Sequence, residues 1–247
     1  MKYSITTLLL LSFFTSVAQL STAPTGEQGL FSNARGGNPQ LNLVMMEIRN
    51  AGSSAFVKSE NILGSPYYTD NFVRSKVYYD NELVGNFFVR YNAFRSEFEI
   101  KESLENEKPS KSFLPDKKIE ILYGDKMMKF STFVNKKGET KNGYLATIWE
   151  GKNYKLYHKL SVKYTEERAA VNSMVRGTPS RFTHFSEYYF QKTGVNRIDE
   201  IENRKSKFLK QFNPDKRKTI KELLKDEKTD LNSENELKQL FQKIDDL

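Results

Sequence analysis

The sequence predicts a mainly β protein, an antiparallel sandwich or open barrel, with a small C-terminal α-helical unit that makes the whole α+β. Three observations carry this expectation. From residue 57 to about 195, short runs rich in Tyr, Phe, Val and Ile alternate with turns containing Asn, Asp and Gly. Aromatic residues make up 13% of the chain, and 18 Phe and 13 Tyr supply nearly all of them; such side chains favour strands. Beyond Asn196 the apolar spacing changes to the three-and-four pattern of helices.

The first segment, 1–18, reads as a secretory signal peptide. Met1-Lys2 is a basic start, Ile5 to Phe14 is apolar apart from Thr6, Thr7 and Ser12, and Ser16-Val17-Ala18 supplies small residues before a cut at Gln19. The apolar run is shorter than the roughly 20 residues that span a bilayer, so no transmembrane segment is expected. The chain has no cysteine. Disulfides, thiol catalysis and cysteine metal sites are therefore excluded, and a lipid anchor, which needs a cysteine at the cleavage site, is not expected. The predicted address is exported: periplasmic, surface-associated or secreted, and not a lipoprotein.

Residues 19–56 read as a low-complexity, poorly ordered linker, with turn compositions at Gly36-Gly37-Asn38-Pro39 and Ala51-Gly52-Ser53-Ser54. Leu41 to Ile48 is the one stretch within it that suits a short strand or helical turn. The β-rich domain is placed at 57–195. Phe72–Tyr79 reads as a strand, Asp80-Asn81-Glu82 as a turn, and the alternation of Phe87, Val89 and Tyr91 as the returning strand. Asn92-Ala93-Phe94-Arg95 turns into Glu97–Lys101. Residues 102–118 read as a polar loop. Ile119–Tyr123 and Met127–Val134 flank Gly124-Asp125, and Asn135-Lys136-Lys137-Gly138 is a further turn. Gly143–Trp149 and Tyr154–Tyr164 form the clearest hairpin, around Glu150-Gly151-Lys152-Asn153. Residues 165–180 read as a loop, and Thr183–Gln191 as the last strand.

The unit at 196–247 reads as two amphipathic helices. Asn213-Pro214-Asp215 has the composition of a helix start, with Ile220, Leu223 and Leu224 following at helical spacing. Ser233-Glu234-Asn235-Glu236 has the form of a capping box, and Leu237, Leu240, Phe241 and Ile244 repeat at helical intervals. Helices this short need a partner surface.

The net charge is +8, from 39 basic and 31 acidic residues. The excess is spread along the chain without an arginine-rich block or nucleic-acid-binding motif, so nucleic acid is not an expected partner. A solvated surface, weakly attracted to anionic envelope components, fits this distribution. Partners are otherwise undefined by the sequence, with envelope components or another envelope protein the class that the address favours.

No motif assigns a catalytic, cofactor-binding or metal-binding residue. His158 lies on the apolar face of its strand, with Tyr154, Leu156, Leu160 and Val162, and reads as a core or rim histidine; a buried general base is the alternative. His184, in an aromatic strand, reads the same way. Lys155, Lys159 and Lys163 form a basic row that reads as a solvated face or a protected edge, with anionic lipid or polysaccharide as the functional alternative. Tyr67, Tyr68, Tyr78, Tyr79, Phe87, Phe88 and Tyr91 read as core and cross-strand pairs, or as the lining of a glycan or apolar-ligand cleft. Trp149 reads as a packing anchor. Glu97 and Glu99, with Glu102 beyond them, read as a solvated strand face rather than paired hydrolytic carboxylates. Gly26, Gly29, Gly36 and Gly37 do not form a phosphate loop.

Gly64-Ser65-Pro66-Tyr67, followed by Arg90-Tyr91-Asn92-Ala93 and Ser96-Glu97-Phe98-Glu99, resembles a group of uncharacterised exported proteins of Bacteroidetes-type bacteria. The resemblance covers roughly residues 61–247 and includes the helical tail. It implies a β-rich domain with a helical tail and a structural role for the R-Y-N-A turn, and it carries no activity. Three functions follow as expectations. The first is a non-enzymatic cell-envelope or interaction protein. The second is a β-barrel binder of a small apolar or glycan ligand, and the third is a hydrolase using His158 or His184.

Overall fold

A computed structural model describes residues 48–50, 62–105, 110–170, 174 and 176–247. The expected signal peptide and nearly all of the 19–56 linker lie outside the described residues. The described chain is mostly strand, with helices gathered near the C-terminus, as the sequence predicts. The first half contains β1 (Ile48–Asn50), β2 (Val73–Tyr79), β3 (Glu82–Asn92), β4 (Glu97–Lys101), β5 (Lys111–Phe113) and β6 (Ile119–Tyr123). It continues through β7 (Lys126–Val134), β8 (Thr140–Glu150), β9 (Tyr154–Thr165), β10 (Arg181–Lys192) and β11 (Ile198–Glu200). Helices α1 (Lys205–Lys210), α2 (Arg217–Asp226) and α3 (Glu234–Asp245) follow.

All of these strands join one sheet, in the order β1-β5-β4-β3-β2-β6-β7-β11-β10-β9-β8, and β7 also pairs with β8. Because β7 bonds both β8 and β11, strands β7 to β11 close into a ring through the parallel contact of Val134 with Asp199. Each of the five strands sends one side chain into the ring's small core: Phe133, Leu145, Tyr157, Tyr189 and Ile198. The opposite face of the same sheet curls around a larger core. There Tyr91, Phe98 and Tyr144 pack with ring centroids 4.9–6.1 Å apart, against Val77, Val89, Ile100, Ile119, Ile121 and Met128.

Local chemistry explains the turns. Asp80 (φ 51°) and Asn81 (φ 68°) make the two-residue β2–β3 hairpin, whose central positions both need the left-handed region that Asp and Asn tolerate. Asn92 Oδ1 accepts from the Arg95 N–H at 3.0 Å and fixes the β3–β4 turn. In the β8–β9 turn, the α3 residue Asp245 accepts from the N–H groups of Lys152 and Asn153, both at 2.6 Å. A Cβ on Gly151 would overlap the Trp149 ring, so the turn closes tightly on an indole that is packed against the helices.

The helices cover one end of the β8–β9–β10 sheet. Phe208, Phe212, Ile220, Leu224, Leu237, Leu240, Phe241 and Ile244 share a core with Tyr154, Leu156 and Phe190. Several details differ from the sequence reading. The 102–118 stretch holds β5, which Phe113 anchors in the larger core with no exposure. The first residues of the 196–247 unit form β11, part of the sheet. The helices number three among the described residues, α1 being a six-residue addition. Helix α2 begins at Arg217, after a turn in which Asn213 O accepts from Lys216 N–H, so Asn213 does not act as its cap. Ser233 does cap α3, but Glu236 reaches back to the Asp230 N–H at 2.6 Å instead of closing the box on Ser233. Residues 165–180 contain a two-bond bridge between Arg168 and Thr178.

Candidate functional site

The G-S-P-Y segment is a strap over one face of the sheet. Leu63 bonds to the start of β10 through Leu63 N–H to Ser180 O at 2.9 Å and Phe182 N–H to Leu63 O at 2.8 Å. Tyr68 N–H reaches Tyr91 O at 3.1 Å, and Phe94 N–H reaches Pro66 O at 3.2 Å. The strap therefore ties β10 to the end of β3. Gly64 permits the crossing: it holds φ 78°, and a Cβ there would lie 2.7 Å from Phe182 O.

Arg90 locks the strap from below. Its guanidinium lies 3.6 Å from the Tyr67 ring centroid and 4.5 Å from that of Phe72. It pairs with Glu99 at 2.6 Å and donates to Asp70 O at 3.1 Å. Glu99 also accepts from Tyr67 Oη at 3.0 Å and Ser110 Oγ at 3.2 Å. Burial, followed by the Glu99 carboxylate, pushes the Tyr67 phenol up to about 12. Glu99 is thus buried, not on the solvated face that strand alternation implies, because the strap covers that face. Glu97 stays half-buried, with Arg95 at 3.2 Å. The resemblance implies that both Arg90 and Asn92 fix a turn; in the structure Asn92 does so, while Arg90 holds the strap.

Between the strap and β10 lies a cleft of about 110 Å³, lined by Tyr68, Ala93, Leu160, Ser161, Val162, His184, Phe185 and Ser186. This is smaller than the roughly 300–1,000 Å³ of small-molecule sites. It suits a single side chain. Two of its lining side chains are large, apolar and open: Tyr68 and Phe185 are each 46% exposed. Lys163 and Arg181, across β9 and β10, are exposed and carry no ion pair among the described residues. In the basic row, Lys155 pairs with Glu150 at 2.5 Å and Lys159 with Glu187 at 2.8 Å, which leaves Lys163 as its open member. Of the seven aromatic residues singled out by sequence, Tyr79, Phe87 and Tyr91 are core, and Tyr68 lines the cleft. Phe185 was not among them; its period-two place in THFSEYYFQ was the available signal.

His184 is exposed, and its Nε2 lies 2.8 Å from Ser65 O. A carbonyl only accepts, so Nε2 carries the hydrogen and the ring serves as a strap tie. His158 sits where the helical core meets the larger sheet core. It stacks on Tyr188 with centroids 4.9 Å apart, and its Nδ1 is 3.6 Å from Glu234 Oε2. Its buried Nε2 has no partner among the described residues. Glu234 is occupied by Lys126 at 2.8 Å and Lys238 at 2.7 Å. Burial raises the Glu234 pKa by itself, but these lysine hydrogen bonds outweigh it and the net shift is downward. Burial first, then Lys126, lowers the His158 pKa to about 4. Among the described residues neither imidazole has a carboxylate or hydroxyl at hydrogen-bond distance, the arrangement that would orient a general base. The structure places the two histidines apart, His158 on β9 and His184 on β10.

The His158 environment gives a pH prediction. The unfolded imidazole gains its proton near pH 6.5 and the folded one only near 4, so stability falls as pH drops through that window. The loss should reach about 3 kcal/mol by pH 4, and His158→Phe should remove most of it. Urea unfolding at pH 7, 5.5 and 4.5 checks this; an unchanged pH slope in the variant would rule it out. The carboxylate of Glu234 contributes in a lower range, because its folded pKa is depressed below the usual 4.5.

Among the described residues, no cluster of three or more His, Asp or Glu could hold a metal ion, and no helix is long and apolar enough to cross a membrane. Comparison with known proteins finds no family model that matches the chain, and no match among curated proteins or solved structures.

Proposed function

We propose that the protein is an exported, non-enzymatic interaction protein of the cell envelope, which grips a partner at the cleft between the strap and β10. One observation carries this reading: two large exposed aromatic side chains, Tyr68 and Phe185, line one opening. Scattered exposed apolar side chains are ordinary, but a contiguous group beside a cleft is a mark of recognition surfaces. The rigid setting supports it, since the strap is anchored at Arg90, Gly64 and His184. The filled sheet interior favours it over an enclosed ligand cavity: Tyr91, Phe98, Phe113 and Tyr144 occupy the larger core. The leader-like residues 1–18 support the address.

Two measurements test the reading. N-terminal sequencing of protein from the producing cells should begin at Gln19; a cytosolic protein that retains residues 1–18 would overturn export. Affinity capture from the envelope fraction should recover a partner with the natural chain and lose it, by about tenfold or more, with the double variant Tyr68→Ala, Phe185→Asp. Equal capture by both would overturn the cleft.

A further inference from the structure

The cleft lies beside a strand edge that has backbone groups to offer. β10 pairs with β9 along its whole length. Its other edge meets the strap at Arg181 and Phe182, and β11 from Tyr189 to Gln191. Between them, Thr183 to Glu187 pair with β9 alone among the described residues. The gap is about 17 Å long, the length of a short strand.

The orientation of its groups can be derived. Phe182 N–H donates to the strap across this edge, and Tyr188 O accepts from Ile201 N–H across it at 2.7 Å. Alternate residues of an antiparallel strand aim their backbone groups to the same side. His184 and Ser186 therefore aim N–H and C=O into the gap, and both residues are exposed. An open edge of this kind is usually blunted by bulges, proline or charge. Here the exposed residues are His184, Phe185 and Ser186, without proline; the one charge in the gap, Glu187, is partly buried and paired with Lys159.

We infer that this edge of β10 accepts an extended peptide strand of a partner, in which apolar residues alternate with acidic ones. The inference rests on the cleft reading above and deepens it. An added strand places alternate side chains on opposite faces. Those on the strap side enter the cleft of Leu160, Val162 and Tyr68, which has room for one aliphatic side chain. Those on the other side pass the open cations Lys163 and Arg181, which favours carboxylates. Backbone hydrogen bonds to His184 and Ser186 supply the affinity, while the cleft and the cations select the sequence.

The probe is an acetylated, amidated peptide of about six residues alternating Leu and Glu, the length the gap accommodates. In the full chain, the amides of His184 and Ser186 should exchange rapidly with deuterium and become protected when the peptide is added. Methylating the peptide nitrogens that face β10 should weaken binding by about tenfold, since it removes the inter-strand bonds but keeps the side chains. Ser186→Pro should weaken binding similarly, because its N–H points away from β9; the methylated peptide makes the same test without altering the protein. Slow exchange of both amides before peptide is added would mean that another part of this chain already fills the edge, and would overturn the proposal. Equal binding of the methylated peptide would overturn it as well. If the peptide fails but envelope capture still depends on Tyr68 and Phe185, strand addition falls and the cleft reading stands; if both fail, both fall.

Discussion

Phe241→Ala is expected to destabilise the protein by about 3–5 kcal/mol, lowering the melting temperature by roughly 10 °C. The ring has no exposure and stands at the centre of the helix–sheet core. Its centroid is 5.6 Å from Phe190, 5.8 Å from Tyr154, 6.0 Å from Phe212 and 6.1 Å from Phe208. Those neighbours come from β10, β9 and α1 with the turn after it, each held by its own backbone bonds. They cannot all collapse into the space, and residual cavity volume makes such a truncation costly. Leu240→Ala, also fully buried, should cost about 2–5 kcal/mol, while Gln242→Ala on the exposed face should stay within about 0.5 kcal/mol. Thermal unfolding of the three variants decides it. If Phe241→Ala melts like the natural chain, α3 is not docked as described.

Arg90→Met is expected to cost about 3 kcal/mol and to free the strap. The substitution keeps an apolar stem between Tyr67 and Phe72 but leaves Glu99 buried with two neutral donors, Tyr67 and Ser110. Removing one partner of a buried pair is more damaging than replacing both, because the remaining charge stays desolvated. The double variant Arg90→Met, Glu99→Leu should therefore recover part of the loss. Limited proteolysis should cut Arg90→Met between residues 62 and 72, and spare the natural chain. Unaltered melting and proteolysis in the single variant would show that the strap is held by its backbone bonds alone.

Long alternating segments were legible in the sequence. Glu97–Lys101 and Ile119–Tyr123 match β4 and β6 residue for residue, and the Gly143–Trp149/Tyr154–Tyr164 hairpin falls within β8 and β9. The elements that escaped were short. β5 and β11 have three residues each, too few to display a period, and they exist because neighbouring strands supply their bonds. The strap escaped for a different reason. Its backbone bonds to β10 join residues more than a hundred positions apart, and no local pattern encodes that. For the same reason Glu99 was expected to face solvent: alternation places it correctly on the outer face of β4, and only the strap crossing above makes that face an interior. Tyr68, His184 and the Lys row were legible as candidates, but their meeting at one opening depends on the same crossing.

The Asp245 clamp on the β8–β9 turn bears on the order in which the molecule assembles. Asp245 joins Lys152 and Asn153, and the strap joins Leu63 to Phe182, so both closures span roughly a hundred residues. Contacts of such separation repay their loop-closure entropy late, which slows folding. A chain in which residues 237–245 have not docked lacks part of the cover for Tyr154, Leu156 and Phe190, and the tip of its β8–β9 hairpin is unfastened. The helix–sheet core is therefore completed only when residues 237–245 dock on it.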